Sequence, residues 1–230
     1  MGGFLIFSLF NGVPRSAKLP STPIQKPAAA GLPSGTATVT LNQDFFNTVL
    51  ASIFRDMDAP AFPLGLNGET LPNPQTPDGC DGNVTLLNEG SDVKTRVSFE
   101  NNQITLPLAF RGSKNVFGFG CLHFTGWALA NLKLNTDEQK NVFGEISIQT
   151  INVDGIPPFA SGFITPVIQT TLNNRVNPVT ILKSEQIAMK IPVAATKGIL
   201  QSNVTDVRAE VKDNALNLYV TYDFKGVKNN

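Results

Sequence analysis

Hydrophobic and polar residues alternate most clearly near the C-terminus of the chain. Gln186 to Val193 alternates, a polar break follows, and Lys197 to Lys212 runs extended. Lys212-Asp213-Asn214 turns the chain back. Leu216, Leu218, Val220, Tyr222 and Phe224 then alternate with Asn217, Tyr219, Thr221 and Asp223. A period of two puts one face of a strand against a core and the other in water. Further upstream, Val93, Thr95, Val97 and Phe99 alternate with Asp92, Lys94, Arg96 and Ser98. After a turn at 100–103, Ile104, Leu106, Leu108 and Phe110 alternate again, which predicts a β-hairpin with one apolar face. Residues 116–134 form a long extended run, apolar at both parities over its first half, so both faces should be covered. Its glycines fit strong curvature or a close backbone approach. Residues 140–154 predict another strand. Val142, Ile146 and Ile148 share one parity and Ile151 and Val153 the other, so a β-bulge is expected near Thr150.

Two segments carry helical spacing instead. Thr36 to Leu41 predicts a short strand, and Asn42 then stands where a side-chain oxygen can cap a helix N-terminus. Phe45, Phe46, Val49, Leu50, Ile53 and Phe54 form a wide apolar stripe, and the helix should end between Phe54 and Asp58. The second helix starts at Pro158, a residue suited to a first turn. Phe159, Phe163, Val167, Ile168 and Leu172 recur along it to about Arg175, with Pro166 expected to bend it or delay its start. Residues 59–90 are broken by repeated Pro and Gly into a long loop, with a short strand at Val84 to Leu87. The predicted order is β-α-β-β-β-β-α-β-β-β, an α+β chain.

The N-terminus reads differently. Met1 to Phe10 is apolar but too short to span a bilayer. Asn11 to Gly35 is rich in Pro, Ala, Gly and Ser and reads as a linker. Residues 1–35 are therefore expected to be a greasy tip and linker, and 36–230 a single domain. The layout suggests an envelope protein, periplasmic or secreted, that associates with membrane through its N-terminus. A tail with chance apolar residues is the plainer alternative.

Composition narrows the function classes. The chain has 230 residues, 18 Lys and Arg, 18 Asp and Glu, and a formal net charge of zero. That balance implies no nucleic acid or other polyanion as partner. The single histidine, His123, lies among strand residues and reads as structural, core or half-buried. No Gly-x-Ser-x-Gly elbow, phosphate-binding loop or paired Cys/His spacing is present. No catalytic residue, metal site or cofactor is expected. Cys80 and Cys121 could pair in an exported protein or remain two buried thiols in a reducing one. Asn83-Val-Thr85 and Asn203-Val-Thr205 are glycosylation sequons, relevant only in a eukaryotic secretory setting.

The strand running into an apolar helix at Val39 to Leu50, the helix at 158–175 after long strands, and the closing strands at Gln186–Val193, Leu200–Val211 and Leu216–Phe224 resemble the tubular lipid-binding (TULIP) superfamily. Within it they are similar to the bacterial LmeA-like phospholipid-binding envelope proteins. The resemblance covers roughly residues 36–226, and the Pro/Gly-rich loop at 59–90 departs from it. It implies a long, strongly curved antiparallel sheet wrapped around one or two amphipathic helices, a half-barrel with lipid in the apolar space between. The chain is therefore expected to bind or transport a lipid or other amphiphile without catalysis. The lining candidates are Phe45, Phe46, Val49, Leu50, Ile53 and Phe54 on the first helix and Phe159, Phe163, Val167, Ile168 and Leu172 on the second. The alternatives are a structural envelope module with a packed core that binds a protein partner, and a hydrolase with a spatially assembled site.

Overall fold

A computed structural model describes residues 22–25, 35–64, 80–116 and 120–228, with the side chains of Thr22, Phe159 and Phe163 outside that set. Its strands and helices follow in chain order. β1 (Thr22–Pro23) and β2 (Thr36–Asn42) precede α1 (Gln43–Asp56). Then come β3 (Ala61–Pro63), β4 (Asn83–Leu87), β5 (Glu89–Gly90), β6 (Val93–Lys94) and β7 (Ser98–Glu100). The long strands β8 (Gln103–Val116), β9 (Gly120–Thr136) and β10 (Val142–Asp154) lead to α2 (Pro158–Val176). β11 (Val179–Leu182), the short α3 (Ser184–Ile187) and β12 (Lys190–Val193) precede the closing strands β13 (Gly198–Lys212) and β14 (Ala215–Lys228).

The fold is α+β, with antiparallel sheets strongly curled into half-barrels and few helices. The larger sheet runs β11-β10-β9-β8-β4-β3, with β1 added to β9 and β7 to β8. The smaller runs β12-β13-β14-β2. Residues 22–25 join the two. Ile24 donates its N–H to the Leu134 carbonyl of β9, and the Ala209 N–H of β13 donates to the Gln25 carbonyl, each at 3.2 Å. Part of the stretch read as linker is thus laid between the sheets.

Curl in the larger sheet follows from a reciprocal pairing. Phe110 of β8 opposes Gly126 of β9, and Phe124 of β9 opposes Gly112 of β8. Each ring covers the glycine across the ladder, and the two rings meet edge to face at 6.5 Å. A Cβ on Gly126 would strike the Phe110 ring and the Asn152 carbonyl, and one on Gly112 would strike the Phe124 ring. The glycines are there because the rings need their space.

The core has two parts. The main one collects the inward faces of β4, β8, β9 and β10, the α2 residues Ala160, Ile164, Ile168 and Leu172, and Leu216 and Leu218 of β14. The second gathers Val142, Val207, Val220 and Tyr222, covered by Ile187 and Met189. Burial pushes the Tyr222 phenol above its ordinary pKa, and its hydroxyl donates to the Ile187 carbonyl at 2.9 Å.

Several expectations meet their elements. Asn42 caps α1 by accepting from the Phe45 N–H at 2.8 Å, and α1 ends at Asp56. The β10–β9 register shifts between Ile148 and Thr150, at the expected bulge. Asp213 and Asn214, both at positive φ, make the two-residue turn of the closing hairpin. α2 begins at Pro158 as expected, and it runs through Pro166, which does not delay its start.

Others are corrected. Val93–Phe99 is not one strand. Pro107 of β8 has no N–H to extend the ladder, so Arg96 donates to its carbonyl at 3.2 Å without return, and the Ala109 N–H turns to the Thr95 hydroxyl at 2.9 Å. The run read as 116–134 is split, since Val116 of β8 pairs with Gly120 of β9. One face of β9 is buried at Phe124, Gly126, Ala128 and Ala130, while His123, Thr125 and Leu129 on the other are exposed. His123 is therefore neither core nor half-buried. Gln186 lies in α3, where its side-chain oxygen accepts from the Lys183 N–H at 2.8 Å, and β12 begins only at Lys190.

Candidate functional site

An apolar stripe alone cannot hold a helix at a fixed height over a sheet; here hydrogen bonds from amide side chains do so. β11 covers β10 only from Val142 to Gly144, leaving the backbone groups beyond it without a strand partner. α2 supplies them. Asn177 accepts from the Ile146 N–H and donates to the Ile146 carbonyl, both at 2.6 Å, and donates to the Asn173 carbonyl at 2.7 Å. Asn173 accepts from the Ile148 N–H at 3.0 Å, and Gln169 donates to the Ile148 carbonyl at 3.4 Å. Because buried backbone groups are costly to leave unpaired, these contacts fix how α2 sits on the edge of β10.

With α2 so placed, a cavity of about 240 Å3 remains beyond the pinned end, lined by Leu64, Lys114, Asn115, Val116, Ile164, Val167 and Ile168. Three elements contribute. Leu64 follows β3 and is held by its N–H on the Gly82 carbonyl at 2.7 Å. Lys114, Asn115 and Val116 end β8, and the Lys114 ammonium donates to the Leu64 carbonyl. Ile164, Val167 and Ile168 come from α2. Five apolar side chains with one cation and one amide match the usual makeup of a small-molecule site. Cys121, the cross-strand neighbour of Asn115, is disulfide-bonded to Cys80, which ties the chain just before β4 to this end of β9.

Of the lining candidates read from the sequence, Val167 and Ile168 stand in the cavity wall. Leu172, one turn on, is buried in the main core. Phe46, Leu50 and Phe54 pack against that core, with Phe46 edge to face on Phe99 at 5.7 Å. Ile53 is buried and Val49 partly so. Phe45 is 50% exposed, its ring against that of Phe46. The Phe159 and Phe163 side chains lie outside the described residues. Leu64, Lys114, Asn115, Val116 and Ile164 were not read as lining. Leu64 sits in a loop with no period. Residues 114–116 continue the β8 alternation past Phe110, where it could have been followed. Ile164 belongs to the stripe Ala160, Ile164, Ile168, spaced by four, one residue out of phase with Phe159, Phe163 and Val167 and so about 100° around the helix.

Ser113 and His123 oppose each other across β8 and β9, but no hydrogen bond joins them, and the imidazole stands in solvent. Among the described residues no three His, Cys, Asp or Glu side chains cluster as a metal site, and no helix is long and apolar enough to cross a membrane. The chain matches no protein-family model, no curated protein and no solved structure.

Proposed function

We propose that the protein binds an acyl lipid or similar amphiphile, without catalysing its conversion, in the cleft between α2 and the curled sheet. The observation that carries this reading is the apolar cavity walled by Leu64, Val116, Ile164, Val167 and Ile168, with Lys114 and Asn115 as its polar members. An acyl chain there gains about 0.8 kcal/mol for each methylene taken out of water, and the lysine suits an anionic headgroup. Curled half-barrel sheets packed on a helix are compatible with a tubular lipid-binding architecture of the TULIP kind. The cavity is smaller than the roughly 300 Å3 at which small-molecule pockets usually begin, so it suits one chain end rather than a whole two-chain lipid. The site is thus narrower than a tube along both helices and lies on α2. The disulfide supports an oxidising compartment such as the cell envelope or the exterior.

A second reading, a structural module with a packed interior that binds a protein partner, is favoured by one observation. Much of the interior is already filled by protein, as at Ile53 of α1, Leu172 of α2 and Leu216 and Leu218 of β14, all buried. Native mass spectrometry of the purified full chain separates the two. Under the lipid reading an acyl-bearing species co-purifies. Val167→Trp, which fills the cavity, removes it while the fold survives, and Val49→Trp on α1 retains it. A ligand-free wild type that takes up no added fatty acid would refute the lipid reading.

A further inference from the structure

The smaller sheet ends in a ribbon that outruns its core. Tyr222 is the last residue of β14 buried in the second cluster; from Asp223 to Lys228 every residue is exposed. The ribbon nevertheless stays apolar. Ile191, Phe224 and Val227 are 42%, 40% and 43% exposed, three of the seven large apolar side chains most open to solvent among the described residues.

Register assigns these residues to faces, because opposed residues in a ladder share one. Ile191 opposes Leu200, which opposes Gly226, and Phe224 opposes Ser202. That face continues the core side of Tyr222, and the Tyr222 and Phe224 rings lie 6.0 Å apart. Pro192 opposes Ile199, which opposes Val227, on the other face. Both faces of the tip are therefore apolar. Around them stand Lys190, Lys197, Lys225 and Lys228, all exposed, against the single acid Asp223. In a chain of zero net charge this is a local excess of cations.

We propose that this ribbon tip docks on an anionic lipid bilayer. A protein partner laid on one face would leave the other apolar face in water, whereas a membrane interface takes in both at once. Lysines behind and at the end of the apolar rows can rest their stems on the hydrocarbon boundary and hold their ammonium groups at lipid phosphates. Docking here is independent of the cavity and uses an element other than the N-terminal apolar stretch.

The test uses the full chain with vesicles of equimolar phosphatidylglycerol and phosphatidylcholine. Trp127, the only tryptophan, is replaced by Phe, and Phe224→Trp moves the fluorophore to the tip. Brominated acyl chains should quench it, which an anchor at the N-terminus alone would not produce. The triple variant Ile191→Ser, Phe224→Ser, Val227→Ser should partition at least about tenfold more weakly. Lys190→Glu with Lys225→Glu should weaken partition roughly fivefold per lysine, an effect that fades as salt rises. Absence of quenching, or unchanged partition of the triple variant, overturns the proposal. So does a wild-type dimer that the triple variant abolishes, which would make a second copy the occupant. A Val167→Trp chain that docks normally while carrying no lipid keeps this result separate from the fate of the cavity.

Discussion

α1 and α2 meet their sheets through the same device, yet the cavity described above is walled by α2 and not by α1. On α1, Gln43 accepts from the Phe99 N–H at 3.1 Å, and Asn47 accepts from the Val97 N–H at 2.8 Å while donating to its carbonyl at 3.2 Å. On α2, Asn173 and Asn177 do the same for Ile148 and Ile146. In each case the amides are four apart along the helix or at its C-cap, and their targets are two apart along the facing chain, running in the opposite direction. Four helical residues rise about 6.0 Å and two strand residues about 6.6 Å, so the steps match and a helix can close a strand edge. What differs is the rest of the anchoring. α1 is also capped at its N-terminus by Asn42, and its Phe46 closes on Phe99. α2 starts at Pro157-Pro158 with no side-chain cap, and its amides sit toward its C-terminal end. Its cavity-facing stretch, Ile164 to Ile168, makes no side-chain hydrogen bond among the described residues.

The comparison is tested most severely at Asn177. Asn177→Ala leaves both Ile146 backbone groups without a partner, at about 1–3 kcal/mol each, so urea denaturation should show a loss of about 3 kcal/mol. Because those bonds set where α2 lies, the lipid that the proposed function expects to co-purify should fall as well. A loss under about 1 kcal/mol would mean that water replaces the amide and the edge is not closed by it. Asn47→Ala removes the matching pair on α1 and should cost about 2 kcal/mol. There the lipid content should not change, since α1 contributes nothing to the cavity wall. Equal loss of lipid in both variants would erase the functional difference between the helices.

Much of this architecture can be read from the chain. Asn42, the stripe from Phe45 to Phe54, the phase change at Thr150 and the closing alternation from Leu216 to Phe224 are local signals, and each lies where expected except at its exposed ends, Phe45 and Phe224. What could not be read is long-range. Asn47 and Asn177 look like ordinary polar residues on helices until Val97 and Ile146 are seen opposite them. Pro107 interrupts the ladder of a neighbouring segment rather than its own strand. The cavity wall draws on a loop residue, a strand end and one helix face, and no periodicity within one segment links them. At the ribbon tip the alternation continues through Phe224 as if toward a core, but the core stops at Tyr222.

The smallest difference concerns the helix starts. Asn42→Ala removes the acceptor of the Phe45 N–H and should cost about 1 kcal/mol, seen as a lower denaturation midpoint with an unchanged slope. Asn42→Asp should restore most of it, because a carboxylate accepts the same bond and favours the positive end of the helix. Neither substitution should alter lipid content. If Asn42→Ala instead cost nothing, packing of Phe46 on Phe99 and the Gln43 and Asn47 bonds would hold α1 unaided. Both helices would then be fixed by amides and packing with no need of a cap, and the cavity beside α2 would have to follow from side-chain volume rather than from a looser helix start.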